Sequence, residues 1–238
     1  MTVNKTKTAK ASNGKTHEDN RRIRYGVVGL GWISQSALMP AFTNAKRNSE
    51  LVALFSDSPD KLDKLGDAYK VDILHDYEEF DDVLAQGGID AVYIGLPNHL
   101  HAEYAIRAAH AGVHVLCEKP MAVTEEECEA MIAAAEINNV KLMVAYRLHF
   151  EPGNLSAIEA ITKGKIGDPL IFDSLHTMEV EEGNIRLDSS DLGGGPVYDI
   201  GVYCINAARY LFQSEPLEVV ATFAMSDEAR FGNCERAA

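Results

Sequence analysis

Lys119 lies in Glu118-Lys119-Pro120, just past the apolar run 113–117. An ammonium at a strand end can meet a ligand, although a lysine before proline is also ordinary surface. Asp199, Tyr203 and Asn206 follow Gly193-Gly194-Gly195-Pro196 at spacings that put them on one helical face. A carboxylate, a phenol and an amide on an otherwise apolar helix form either a catalytic cluster or a hydrogen-bonded core phenol with an acid in the first turn. A third group could hold phosphate. Gly29, Gly31 and Ser34 follow the apolar run 25–28 at the spacing G-x-G-x-x-S. In a strand–loop–helix unit, the first glycine permits a tight turn, the second admits a pyrophosphate to the backbone, and the helix start offers free N–H groups. Glycines also simply end strands, so this spacing alone leaves both readings open. The histidine pairs His99/His101 and His110/His114 lack a completing cysteine or carboxylate, and no metal is expected.

The elements that must position these groups alternate in type. Strands are expected at 25–28, 50–55, 89–94, 113–117 and 141–146. Helices should begin near Trp32, with a break at Pro40, and cover 60–69 and 77–85, then run from Asn98 as cap to Ala111 and from a Thr124/Glu127 capping box to about Asn138. Such alternation predicts an α/β fold with a doubly wound parallel sheet over residues 21–146, its ligand crevice at the strands' carboxyl ends. Position 56 falls where a dinucleotide fold reads the ribose. Ser56 with Lys61 suits a 2′-phosphate and hence NADP. Asp57 reaching the ribose instead would mean NAD. Residues 147–238 read as a second, incomplete α+β domain, with helices at 154–163 and 197–212 and strands at 170–177 and 217–224. The irregular stretch 179–191 would face a substrate.

The chain has 238 residues, 46% of them hydrophobic, with a formal charge of −14. That charge argues against nucleic acid and anionic membranes as partners, and no apolar run is long enough to span a bilayer. Four scattered cysteines without a C-x-x-C pair read as reduced thiols in the cytoplasm. Residues 1–20, polar and unpatterned, read as a disordered tail. Arg21-Arg22 precedes the glycine turn itself, which favours structure over a twin-arginine export signal.

Gly29-x-Gly31, Leu96-Pro97-Asn98-x-x-His101, Glu118-Lys119-Pro120 and Gly193-Gly194-Gly195-x-x-x-Asp199-x-Gly201-x-Tyr203 occur in that order. As a set they resemble the Gfo/Idh/MocA family of oxidoreductases. The resemblance implies a Rossmann domain followed by a domain on an open mixed sheet, and hydride transfer between NAD or NADP and a sugar, polyol or related carbonyl compound. It implies Lys119, Asp199 and Tyr203 as catalytic residues. Gly29, Leu30, Gly31, Trp32, Ile33, Ser56, Lys61, Leu96, Pro97, Asn98, His101, Glu118, Lys119 and Arg147 would contact the cofactor. Tyr203, in place of a common histidine, and Tyr146-Arg147 resemble the glucose–fructose oxidoreductase branch, which uses NADP. Asn206 departs from the acid of the histidine-type members. The residues after Ala229 lack strand alternation, so a shortened C-terminus is expected, with exposed sheet edges that favour a homo-oligomer. A catalytically inactive NAD(P)-binding sensor or partner protein is the alternative.

Overall fold

The computed structural model describes residues 21–222. Its centre is a six-stranded sheet, β1 (Ile23–Val28), β2 (Ser49–Phe55), β3 (Ile73–His75), β4 (Ala91–Ile94), β5 (His114–Cys117) and β6 (Leu142–Val144). The order is β3-β2-β1-β4-β5-β6, and every pairing is parallel. The strand order reverses between β1 and β4, so their carboxyl ends open the crevice where such folds bind ligands. All four residues of β4 are buried, as expected of a central parallel strand covered on both faces. One core packs Val28, Phe55, Val92, Ile94 and Val115 beneath Phe80 and Ala105, and the opposite face packs Val27, Leu54 and Tyr93 beneath Met39 and Leu62.

Helices follow the strands in turn. They are α1 (Met39–Ala41), α2 (Pro59–Tyr69), α3 (Phe80–Ala85), α4 (His101–His110) and α5 (Glu125–Ile137). The capping box on α5 is formed: the Thr124 hydroxyl accepts from the Glu127 amide, and the Glu127 carboxylate accepts from the Thr124 amide. At Pro40, where an interruption and a restarted turn are expected, the winding changes rather than the chain leaving the helix. A π-helical stretch, Ser34–Leu38, runs directly into α1 and across the proline. Pro40 sits in the first turn of α1, where a missing N–H is harmless. Asn98 is not the cap of α4. It opens a 3₁₀ turn, Asn98–Leu100, and its side chain is engaged elsewhere.

After β6 come α6 (Pro152–Thr162) and α7 (Val202–Phe212), the latter preceded by a π-helical turn, Val197–Gly201. The strand expected at 170–177 is absent, and the described part of 217–224 forms none either. The open mixed sheet is therefore not present among the described residues. These segments have the right composition, but a strand is defined by a partner ladder, and none lies beside them here. Leu170, Ile171, Leu175, Leu217, Val219 and Val220 are consequently almost fully exposed. Among the described residues no helix is long and apolar enough to cross a membrane.

Candidate active site

The glycine loop is built against the β4 loop. Gly29 has a φ of +91°, and a Cβ there would come 2.7 Å from the Gly95 carbonyl oxygen. Both conditions demand glycine. Ser34, fully buried, donates from its hydroxyl to the Gly29 carbonyl at 2.6 Å and so locks the turn. Gly31 differs, because among the described residues beyond its chain neighbours the nearest atom to where its Cβ would be is the Gly95 carbonyl oxygen, at 3.8 Å. Protein packing does not require that glycine, whereas close approach of a phosphate to the loop would. The residues present therefore fit a dinucleotide pyrophosphate held at Gly29–Ile33.

The other residues expected to face the cofactor divide. Trp32 is 75% exposed and stands free beside the loop. Leu30 and Leu96 are core residues, so only their backbones border the crevice. Pro97 is half-buried at the carboxyl end of β4. Ser56 is buried, and its hydroxyl oxygen accepts from the Ser58 amide at 3.2 Å, which leaves its O–H to donate. Lys61, exposed in the first turn of α2, forms no ion pair among the described residues. Asp57 is exposed beside it. His101 is corrected. It is fully buried, with Nδ1 2.8 Å from the Pro120 carbonyl and Nε2 2.9 Å from the Leu96 carbonyl, which ties the β4 loop to the β5 loop. Burial pushes its pKa down. Glu118 turns inward: it accepts from the Tyr93 hydroxyl at 2.7 Å and from the Lys119 amide at 3.2 Å.

Three contacts dock the α7 region onto the strand ends. Asn98 donates to the Gly193 carbonyl at 2.8 Å, Tyr198 donates to the Val123 carbonyl at 3.0 Å, and Lys119 reaches Asp199. The triple glycine serves this docking, since a Cβ on Gly193 would lie 2.7 Å from the Cβ of Asn98 and one on Gly194 would lie 2.0 Å from the Asp188 carbonyl oxygen.

Lys119, Asp199 and Tyr203 meet at this junction. The Lys119 ammonium donates to the Asp199 backbone carbonyl at 2.6 Å and to its Oδ1 at 2.9 Å. Both side chains are 13% exposed. The same ammonium lies 5.1 Å from the centroid of the Tyr203 ring. Tyr146 packs edge-on to that ring at 5.4 Å and donates its hydroxyl to the Val202 carbonyl. His176 lies 6.0 Å away on a tilted plane. Burial raises the Tyr203 pKa above an ordinary phenol, and Glu118 and Asp199 add to the rise. Arg147 and Arg186 oppose it. Arg147, exposed at the start of a 3₁₀ turn after β6, thus stands near Tyr203. Arg186 was not anticipated. It donates from Nε to Asp199 Oδ2 at 2.7 Å, and it comes from the irregular stretch where no periodicity singles out one residue.

A parallel sheet with a glycine-rich turn at its switch point, and a lysine–acid–tyrosine cluster at the strand ends, defines a dinucleotide-binding oxidoreductase fold. The chain belongs to the Gfo/Idh/MocA family: residues 23–146 match the oxidoreductase family with an NAD-binding Rossmann fold, and residues 155–237 match the GFO/IDH/MocA C-terminal domain. It is 36% identical over 219 residues to the D-xylose 1-dehydrogenase [NADP(+)] of Haloarcula marismortui, covering 90% of this chain and 61% of that protein. It is 32% identical to the scyllo-inositol 2-dehydrogenase (NADP(+)) of Bacillus subtilis, covering 86% and 62%. Among solved structures, the aldose-aldose oxidoreductase of Caulobacter crescentus, complexed with glycerol, is 38% identical with a TM-score of 0.81, covering 90% of this chain and 65% of that one. A 3-ketoreductase of Actinomadura kijaniata, in complex with NADP and TDP-benzene, is 29% identical with a TM-score of 0.69, covering 86% and 60%. The chain thus spans about three-fifths of the length of the curated relatives it matches.

Proposed function

We propose that this chain transfers a hydride between NADP and a carbinol or carbonyl carbon of a sugar or polyol. The observation that carries the reading is the meeting of Lys119 with the Tyr203 ring at the crevice end of the sheet. The nicotinamide, when bound, supplies or accepts the hydride. Tyr203 gives its phenolic proton to the substrate oxygen during reduction and removes it during oxidation. Lys119 donates a hydrogen bond to that same oxygen, and Asp199 holds the ammonium in place. Asn98 and His101 act behind these groups by tying the β4 loop to the α7 region and to Pro120.

Exposed Lys61, unpaired among the described residues, supports NADP, as do the NADP-dependent relatives. Tyr203 and Tyr146-Arg147 support a mode like that of glucose–fructose oxidoreductase, in which one sugar reduces the cofactor and another reoxidises it. The test is to mix protein, NADP and a panel of aldoses and polyols and follow the reduced-nicotinamide absorbance. Its appearance with at least one sugar, with a preference for NADP over NAD, is expected. Tight NADP binding without reduction by any sugar would leave only a nucleotide-binding protein.

A further inference from the structure

Asp199 has two carboxylate oxygens, and a different cation holds each. Lys119 donates to Oδ1 at 2.9 Å, and Arg186 Nε donates to Oδ2 at 2.7 Å. Arg186 is itself held. Asn184 Oδ1 accepts from its backbone amide at 3.0 Å and from Nη1 at 3.3 Å, and the Arg186 carbonyl accepts from the Gly195 amide at 2.9 Å. Nη2 has no hydrogen bond among the described residues, so the fork keeps one edge open beside the site.

We propose that Arg186 is a positioning residue of this site, holding the Asp199 carboxylate so that its other oxygen keeps the Lys119 ammonium over Tyr203. The inference rests on the hydride-transfer reading for its kinetic consequence but not for its geometry. A carboxylate bonded at one oxygen is free to rotate about its last torsion, whereas a donor on each oxygen leaves one orientation. The second donor is needed because Lys119 cannot itself fix the acid: the ammonium is a point charge on a flexible stem, while guanidinium is planar and directional. The positive charge of Arg186 also opposes the burial that raises the Tyr203 pKa. Arg147 opposes it too, while Glu118 and Asp199 act in the other sense. The arginine therefore holds the acid geometrically and eases phenol ionisation electrostatically.

Two measurements on the full chain test this, one of them independent of turnover. In the first, Arg186→Gln, Arg186→Lys and wild type are labelled at tyrosine Cζ, Tyr203 is assigned by its loss in Tyr203→Phe, and the phenol is titrated by NMR. Arg186→Gln should titrate at higher pH than wild type, and Arg186→Lys should lie between them. An unchanged Tyr203 titration in Arg186→Gln, with folding intact by circular dichroism, overturns the proposal. In the second, steady-state rates are taken with a sugar that the wild type turns over. Arg186→Gln should lose roughly ten- to a hundred-fold in kcat with KM for NADP unchanged, and added guanidinium should restore part of that loss in Arg186→Ala. A rise in KM for NADP with kcat intact contradicts it. A wild type without turnover refutes the functional reading alone and leaves the NMR result to decide Arg186.

Discussion

Tyr203 holds its proton more tightly than a free phenol, because burial and two neighbouring carboxylates disfavour the phenolate. The sign for activity follows. Reduction of a carbonyl needs the phenol, so its rate should be flat through neutral pH and fall only in alkali. Oxidation needs the phenolate, so its rate should climb with pH to beyond about 10, the free-phenol value. A pH–rate profile in both directions checks this, and an oxidation rate already level at pH 7 would remove Tyr203 as the base. At this scale the sequence showed most of the cluster that the structure brings together. Lys119, Asp199 and Tyr203 were legible because a strand end and a four-residue helical spacing are local signals. Arg186 was not, because its partner is thirteen residues away across a loop. His101 was seen but misplaced: a motif shows that a histidine recurs, whereas only coordinates show both ring nitrogens facing carbonyls.

Contacts that involve no catalytic side chain nonetheless decide whether the site forms. The His101 ring bridges the β4 and β5 loops, so His101→Ala takes the imidazole N–H away from a buried carbonyl and opens a buried space. It should cost about 2–5 kcal/mol in denaturant unfolding. The glycine loop separates two effects. Gly31→Ala places its Cβ 3.8 Å from the Gly95 carbonyl oxygen, an ordinary contact, and should keep its melting temperature while weakening NADP binding by roughly tenfold or more, read by fluorescence titration. Gly29→Val forces a Cβ onto the Gly95 carbonyl and should unfold or misfold the loop. The alternation of helices and strands gave the parallel sheet, but β3 has only three residues and no pattern of its own to announce it. The segment at 170–177 and the described part of 217–224 erred the other way. Their apolar, β-branched composition describes what a strand would bury, not whether a neighbouring strand exists to pair with it.

Across the whole molecule, the two parts of the chain differ in how they are held. The sheet is pinned near the start of β1 by Asp90, which accepts from Arg24 Nε at 3.0 Å, Nη2 at 2.9 Å and the Arg24 amide at 2.9 Å. These bonds hold the Asp90 carboxyl well below the usual carboxylate range. A depressed folded-state pKa stabilises fully above the unfolded value near about 4 and is lost as pH falls through the folded one. Asp90→Asn should therefore lower the melting temperature at pH 7 and narrow its difference from wild type in strong acid. The later segments bury little, and Leu170, Ile171, Leu175, Leu217, Val219 and Val220 face outward. That exposed apolar surface favours self-association, so sedimentation at micromolar concentration should show dimers or larger species, and a monodisperse monomer would count against it. The central claim joins the two parts: a lysine from the sheet and a tyrosine from α7 act on one substrate oxygen. Single-turnover reduction of bound NADP by an accepted sugar, compared between wild type and Tyr203→Phe, tests it most directly. The account predicts equal NADP binding and a rate lower by roughly a hundredfold or more in the variant. Equal rates in the two proteins would contradict it.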